Sequence, residues 1–355
     1  MMIFLFACTT TEQKSSLPDT QGDSLIVVTA AMDYSVGSLA QIDLSRDQLF
    51  DDVASVSGDA VVVWDQYLWQ LNRYQYDTLR KYSPENLSQP LQEISLAPEI
   101  GSANPHDVAI CGGQLFISLY EQSVIPLYDV ETLSLLEEID ISAYADADGK
   151  TEASTMVVVD EKLYVGLQGL DRNQGFSSVG STILEIDCLE KRIRQSWDMG
   201  QNIKLYSTHE TKDFIFSSLS WSGEEEYPTG VFSFSPADGD VELLHSVEDR
   251  TIENLAVSDK HIVYLSAEED YSAYYLECLS LEDGNVQSST ARIEYLTDIA
   301  FDREGGVWVS AHWGWNDISS AQPGLYRTQI GKCQLDEAHF NFSLAPVDFV
   351  LVPKE

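Results

Sequence analysis

The sequence predicts an all-β protein folded as a seven-bladed β-propeller, with four antiparallel strands in each blade. Three observations predict it: a short motif that recurs at a nearly constant spacing, alternation of apolar and polar residues, and two chain ends that complete each other. Runs of β-branched and aromatic residues separated by regular turns are typical of all-β folds. A repeat of about 40–50 residues that contains four strands is typical of a propeller blade.

The recurring motif consists of a polar residue, an alternating apolar run, a turn and a second apolar run. Successive copies are separated by 44 to 50 residues, and no helical periodicity is sustained between them. The copies begin at Asp59, Asp107, Thr155, Lys204, Asn254, Asp298 and Asp348. Each unit continues with two more strand-like runs, such as SVIPLYDV and SLLEEIDIS in the third. We therefore predict seven units of four strands.

The two ends of the chain are predicted to share one blade. The first unit lacks its innermost strand, and the segment APVDFVLV at 345–352 supplies that strand from the other end of the chain. A blade built from both termini closes the ring and leaves no open blade edge. A six-bladed ring is the main alternative, because the copy that begins at Lys204 is degenerate.

The N-terminus MMIFLFAC resembles the end of a bacterial lipoprotein signal, where a short apolar run precedes the cysteine that receives the lipid. This resemblance implies that 1–8 is a signal remnant, that Cys8 is lipidated, and that the protein is exported to the outer membrane or periplasm. Residues 9–24 are polar and aperiodic, which predicts a disordered tether. A single propeller domain is predicted over 25–353.

The chain is strongly acidic, with 58 Asp and Glu residues against 20 Lys and Arg residues and a formal net charge of −38. Such a surface repels phosphate backbones and anionic lipids. We therefore expect no nucleic-acid partner, and membrane contact only through the lipid anchor. We also expect the protein to be a monomer and to bind a protein or carbohydrate partner.

Four cysteines follow Cys8 in the chain. Their wide separations exclude the short spacings of zinc sites, and sequence alone does not pair them. An exported location permits disulfides. We nevertheless expect the four to be unpaired and to pack as small apolar residues: Cys111, Cys188, Cys278 and Cys333.

Several segments carry a family resemblance. DREGGVWVS at 302–310 resembles the strand turn of NHL-type propellers, and PHDVAICGGQLFISLY at 105–120 resembles YVTN-type repeats. Together with the lipoprotein-like start, the ADADG loop and LQGLDRN are similar to a group of exported bacterial propeller lipoproteins of mostly undefined function. The resemblance implies the propeller fold across essentially 25–353. It implies little about activity, because propellers carry many unrelated functions.

The motif also predicts where a ligand would bind. The first strand of each blade lines the central channel, so the polar residues that begin the motif are expected to ring one channel mouth. One interpretation is a site for a cation or a polar ligand at this mouth. The other is that these side chains only accept hydrogen bonds from backbone N–H groups where the strands begin. The candidates are Asp59, Asp107, Asp298 and Asp348 from the motif, with His106, His312, Trp313 and Trp315 from neighbouring loops.

The loop ISAYADADGKTEAS at 141–154 enters the fourth blade on the same face. Ca²⁺ prefers several oxygen ligands, often on a loop bent by glycine. Asp146, Asp148 and Glu152 offer carboxylates, Lys150 offers a main-chain carbonyl, and Asp171 lies in the same blade. A calcium site is therefore one interpretation, and a polar turn around Gly149 is the alternative.

Enzyme signatures are sparse in the sequence. It contains no G-x-S-x-G elbow and no H-E-x-x-H helix motif. The prediction is a membrane-tethered module that binds a ligand or protein, or serves as a scaffold, at the cell envelope, with Ca²⁺ as a candidate cofactor. The alternative is a Ca²⁺-dependent, lactonase-like hydrolase at the channel mouth, in which the metal polarises a carbonyl and a carboxylate acts as base.

Overall fold

The computed structural model describes residues 23–99, 101–175, 177–178, 180–200, 202–207, 214–218, 229–247, 249–314 and 321–354. The predicted signal remnant at 1–8 with Cys8, and most of the predicted tether at 9–24, lie outside these residues. The described residues form seven antiparallel sheets arranged as blades around one channel, which confirms the predicted seven-bladed β-propeller. No helix in the described part of the chain is long and apolar enough to cross a membrane.

The strands are numbered along the chain. Blades one to three use β1 (Ser24–Ala30), β2 (Gly37–Asp43), β3 (Gln48–Val56), β4 (Val61–Trp64), β5 (Leu68–Asn72), β6 (Thr78–Tyr82), β7 (Gln92–Ser95), β8 (Pro105–Cys111), β9 (Gln114–Leu119), β10 (Val124–Asp129) and β11 (Leu135–Asp140). Blades four and five use β12 (Ala153–Val159), β13 (Lys162–Leu167), β16 (Ser181–Asp187), β17 (Arg192–Gly200), β18 (Ile203–Ser207), β19 (Phe214–Ser218), β20 (Gly230–Phe234) and β21 (Val241–Ser246), with a small hairpin of β14 (Leu170–Asp171) and β15 (Ser177–Ser178) inserted in blade four.

Blades six and seven use β22 (Arg250–Val257), β23 (His261–Glu268), β24 (Tyr274–Ser280), β25 (Val286–Ser288), β26 (Tyr295–Phe301), β27 (Gly306–His312) and β28 (Gly324–Gln329). The last strand, β29 (Ala345–Val352), belongs to blade one. Two short 3-10 helices, Ser142–Tyr144 and Arg172–Gln174, lie in loops of one face. In blade seven, a bridge from Leu325 to Phe340 takes the place of an outermost strand.

Ring closure occurs as predicted. Strand β29 pairs antiparallel with β1 from Ser24↔Val352 to Ala30↔Ala345, so the first and last described strands share a sheet. The degenerate copy at Lys204 forms a complete four-stranded blade, β18 to β21. The six-bladed alternative is therefore wrong. The copy is hard to recognise because six residues separate β18 from β19, against two to four between the innermost and second strands of blades two, three, four, six and seven.

The core lies between adjacent blades, where apolar faces of neighbouring sheets pack together. One cluster joins Phe116 of blade three to Leu163 and Leu184 of blade four, and similar clusters follow around the ring. Each blade thus buries its faces only against its neighbours, as expected for a ring of repeated sheets.

The expectation that the four cysteines are unpaired is wrong. A disulfide joins Cys111 to Cys188, with Cα atoms 5.6 Å apart, and ties blade three to blade four. A second joins Cys278 to Cys333, with Cα atoms 6.2 Å apart, and ties blade six to blade seven. The sequence separations are 77 and 55 residues, so only the packing of neighbouring blades brings the thiols together.

Candidate ligand site at the channel mouth

The innermost strands form the wall of the channel. Each of β4, β8, β12, β18, β22, β26 and β29 contacts the next, and the series closes on itself. Every blade has the same strand order, so these seven strands run in the same direction. Their first residues therefore lie at one end, together with the loops that follow the second strands of the blades. We call this end the channel mouth.

The polar residue that begins the motif connects one blade to the next. Asp107 accepts a hydrogen bond from Met156 N at 2.8 Å, and Asp298 accepts one from Phe349 N at 3.0 Å. The Thr155 hydroxyl accepts from Leu205 N in the same way at 2.9 Å. Each donor belongs to the innermost strand of the following blade. The repeated residue thus satisfies a backbone N–H that no strand partner reaches.

Blade two departs from the repeat by two residues. Asp348 accepts from Val62 N at 2.7 Å, which makes Val61 the counterpart of the residues that begin the motif in other blades. Asp59 lies in the turn before β4 instead. The apolar run VVVW masked this shift, because Val61 is apolar where other blades carry a polar residue.

The carboxylates of the channel wall titrate far from their usual range. Burial raises the pKa of Asp107 to about 7, although hydrogen bonds from Met156 N and Val108 N oppose the shift. Burial also raises the pKa of Asp298 to about 6, and the charge of Lys204 opposes it. Burial and the neighbouring Asp298 raise the pKa of Asp348 well above its usual range.

A second set of polar residues at the mouth combines the predicted His106 with residues that the sequence analysis did not single out. Arg73 follows β5, and its Nη2 lies 2.5 Å from His106 Nε2. The His106 ring stacks on Tyr120, with centroids 4.3 Å apart. Burial and the charges of Arg73 and Lys204 hold the pKa of His106 well below its usual range, so the neutral ring accepts from the guanidinium. Arg73 Nε is buried and has no hydrogen-bond partner among the described residues.

Lys204 begins the degenerate motif copy and is partly buried in the channel wall. Its Nζ lies 5.9 Å from the centroid of Tyr206, and within the described ranges it has neither a hydrogen bond nor an ion pair. Burial lowers the pKa of Lys204, but Tyr206 and nearby carboxylates outweigh burial and raise it overall. The Tyr206 hydroxyl donates to Asn254 Oδ1 at 3.0 Å, and Asn254 Nδ2 donates to Asp298 Oδ1 at 2.7 Å.

Glu253 of blade six completes the polar lining. The Tyr295 hydroxyl donates to its Oε2 at 3.3 Å, while its buried Oε1 has no partner among the residues described. Burial raises the pKa of Glu253, against the opposing effects of Tyr295 and Lys204. We use the name mouth cluster for Arg73, His106, Lys204 and Glu253, which come from blades two, three, five and six.

His312 ends β27 at the same end of the channel, and Trp313 follows it. His312 is 1% exposed and stacks on Tyr34 at 4.7 Å. Its two ring nitrogens lie 3.3 Å from the carbonyl oxygens of Ala31 and Trp313, so backbone contacts hold the ring in place. Trp315 lies outside the described residues.

The ADADG loop is a tight turn at this face. Asp146 N donates to the Lys150 carbonyl at 3.0 Å, and Gly149 has a φ of 82°. Asp148 N donates to Asp146 Oδ1, and Lys150 N donates to Asp148 Oδ1. One carboxylate oxygen each from Asp146, Asp148 and Asp171 lie within 4.8 Å of one another.

Arg172 counters part of this negative charge. Its guanidinium contacts Glu121 and Asp148, and its Nη2 lies 3.6 Å from Glu152 Oε1. Glu152 is fully buried, and burial raises its pKa to about 8 although Leu170 N donates to it. The sequence placed Glu152 in the calcium set, but the structure turns its carboxylate toward Arg172. The oxygens that could hold a cation are those of Asp146, Asp148 and Asp171.

A cavity of about 440 Å³ lies at the opposite end of the propeller, between blades one and seven. Its wall includes the DREGGVWVS turn. Trp308 Nε1 donates to Asp302 Oδ2 at 3.1 Å, and Arg327 Nη2 pairs with the same oxygen at 2.7 Å. His339 Nε2 lies 2.6 Å from Asp47 Oδ1. These side chains are already paired with one another, so the cavity presents fewer free hydrogen-bonding groups than the mouth does.

Comparisons with known proteins support the fold. No protein-family model and no curated protein matches the chain. A candidate 6-phosphogluconolactonase from Bacteroides fragilis has a similar structure, with a TM-score of 0.65 and 10% identity over 95% of this chain and 99% of the other. A protein from Lactobacillus plantarum has a TM-score of 0.65 and 11% identity, over 93% of this chain and 99% of the other. A periplasmic gluconolactonase from Pseudomonas aeruginosa has a TM-score of 0.60 and 14% identity, over 93% of this chain and 99% of the other. At these identities the similarities show the propeller fold alone.

Proposed function

We propose that the chain is a ligand-binding propeller of the bacterial cell envelope that holds a small polar molecule at the channel mouth. One observation carries the proposal. The mouth cluster contains buried hydrogen-bonding atoms, Arg73 Nε and Glu253 Oε1, that no described residue satisfies, and Lys204 Nζ has no hydrogen bond or ion pair within the described ranges.

Such atoms are costly when nothing binds them. A buried polar group without a partner costs about 1–3 kcal/mol, and native proteins satisfy most such groups with protein, water or ligand. Here the atoms come from separate blades and converge at one end of the channel. A polar ligand with several oxygens satisfies them together, which is the usual design of a small-molecule site.

The envelope location rests on the disulfides. Two bonds, Cys111–Cys188 and Cys278–Cys333, tie neighbouring blades, and disulfides persist in oxidising compartments outside the cytoplasm. Pairing of these four cysteines leaves Cys8 as the fifth, in agreement with the proposed lipid anchor. One structural neighbour is a periplasmic gluconolactonase, which accords with a location in the cell envelope.

Calcium is proposed as a structural cofactor of the ADADG loop. Asp146, Asp148 and Asp171 converge, and Asp146 Oδ2 is buried with no hydrogen-bond partner in the described chain. Burial and the charges of Asp148 and Asp171 help raise the pKa of Asp146, so a bound cation would relieve the repulsion. This loop connects blade three to blade four, so the ion would stiffen one side of the mouth.

A lactonase-like hydrolase is the second candidate function, and Glu253 is the observation that favours it. Asp107, Asp298 and Asp348 already accept backbone hydrogen bonds, which hinders their use as a base. Glu253 has a free Oε1 and a raised pKa, as a general base for water requires. On this reading Glu253→Gln abolishes gluconolactone hydrolysis while compound retention by the mouth persists.

The test of the proposed function uses the purified full chain and a defined mixture of neutral sugars, sugar acids, lactones and sugar phosphates. The protein is separated from free compounds by gel filtration, and retained compounds are identified by mass spectrometry. We expect at least one compound to be retained by the wild type and lost in Arg73→Gln/Glu253→Gln. Retention of nothing, or equal retention by a folded double variant, would contradict the proposal.

A further inference from the structure

We infer that the ligand at the channel mouth is an organic anion, whose carboxylate or phosphate group lies between Arg73 and Lys204. This inference rests on the proposed function and narrows it to a chemical class. It is based on the observation that neither of these two cations has a carboxylate partner within the described ranges.

Most basic residues of the chain are already neutralised. Of the 18 Lys and Arg side chains in the described part of the chain, thirteen have a carboxylate oxygen of another described residue within 4.0 Å, as Arg250 has in Glu277 and Arg292 has in Glu294. The described ranges give no such partner to Arg73 or Lys204, although both are withdrawn from the surface. Two unpaired cations at one channel mouth are unexpected in a chain with a net charge of −38.

Carboxylates do lie near the two cations. The charge of Asp59 opposes the burial that lowers the pKa of Arg73, but the two side chains form no ion pair. Three further carboxylates are committed to hydrogen bonds. Asp107 binds Val108 N and Met156 N, and Asp298 binds Phe349 N and Asn254 Nδ2. Asp348 binds Val62 N. None of the three forms an ion pair with Lys204 within the described residues, although the charge of Lys204 acts on each of them. Burial also raises the pKa of all three, so they carry less negative charge than their number suggests.

His106 adds to the same preference. Its ring is neutral and accepts from Arg73 Nη2, which fixes the guanidinium and leaves Nε free. A guanidinium fixed in this way offers its free Nε–H to an oxyanion, and an ammonium contributes a second charge-assisted donor. Glu253 has a buried oxygen without a partner among the described residues, and that oxygen suits a hydroxyl of the same ligand. A hydroxylated organic acid or a sugar phosphate has both kinds of group.

The experiment compares binding of four probes to the full chain by isothermal titration calorimetry: glucose, gluconate, glucose 6-phosphate and inorganic phosphate. We expect at least one anion to bind about tenfold or more tightly than glucose, as charge-assisted hydrogen bonds allow. Lys204→Met should remove that advantage. Lys260→Met, which alters an exposed lysine in the turn between β22 and β23, should leave it unchanged.

The outcomes separate this inference from the proposed function. Gluconate binding without phosphate binding identifies a carboxylate ligand, and the reverse identifies a phosphate ligand. Equal binding of glucose and the anions, unaffected by Lys204→Met, overturns the anion inference but leaves a ligand site. Binding of no probe overturns both. Arg73→Gln serves as a second variant if Lys204→Met fails to fold, and it should weaken anion binding in the same way.

Discussion

Asp107 links the inter-blade hydrogen bonds to a measurable dependence of stability on pH. Its carboxylate is buried, and burial raises its pKa from 3.8 to about 7. At pH values between 3.8 and about 7, the folded state therefore holds a proton that the unfolded state has released. The stability that this proton contributes is fully present below pH 3.8 and is lost as the pH rises through about 7.

The magnitude follows from the size of the shift. One pKa unit corresponds to about 1.4 kcal/mol, so a shift of about three units corresponds to about 4 kcal/mol lost between pH 4 and pH 8. Asp107→Asn replaces the carboxyl group with a neutral group of the same shape, which resembles the protonated side chain. We expect the stability of the variant relative to the wild type to rise by about 3 kcal/mol between pH 4.5 and pH 8, on top of a constant cost of the hydrogen bond that the amide cannot accept.

The assay is urea unfolding of both proteins at several pH values, with the difference in unfolding free energy plotted against pH. Many other acidic groups also titrate, but their contributions to the unfolding free energy are the same in both proteins and cancel in that difference. Asp283→Asn is the matched control, because hydrogen bonds from Ser280 and Asn285 lower the pKa of this exposed aspartate, so its difference should not grow in favour of the variant at high pH. A difference between Asp107→Asn and wild type that stays constant from pH 4.5 to 8 would refute the reasoning.

Three further predictions concern the loops and the ties between blades. Cys111→Ser/Cys188→Ser should lower the unfolding free energy by about 2–5 kcal/mol in guanidinium chloride, and an unchanged midpoint would contradict a stabilising tie. In a calorimetric titration, calcium should bind the wild type with micromolar or tighter affinity and should not bind Asp146→Ala/Asp148→Ala. If the wild type gives no heat of binding, the loop is a polar turn and not a calcium site. Trp308→Phe removes one indole hydrogen bond and should cost about 1 kcal/mol in thermal unfolding, with loss of the fold as the contrary result.

Much of the fold could be predicted from the repeat. The motif and the APVDFVLV segment predicted seven blades and the closing strand, because strand alternation and repeat spacing are local properties of a sequence. The disulfides could not be predicted, because the pairing of Cys111 with Cys188 depends on the packing of separate blades. The position of Asp59 was misjudged for a different reason: an apolar residue, Val61, occupies the motif position in blade two.

The site was harder to predict than the fold. The sequence singled out Asp107, Asp298 and Asp348, and these residues do line the channel, where they hold the next blade through its backbone. It noted Lys204 only as a member of the repeat and did not consider Arg73. A single basic residue after a strand carries no signal by itself. Its significance appears only when the ring places it beside His106, with no ion pair to a carboxylate within the described residues.

The most direct test of the central claim is a crystal structure of the full chain with the compound that the protein retains from the defined mixture. We predict ligand oxygens within hydrogen-bond distance of Arg73 Nε and Lys204 Nζ, and a ligand hydroxyl at Glu253 Oε1. A ligand bound instead in the cavity between blades one and seven, beside Trp308, would contradict the account.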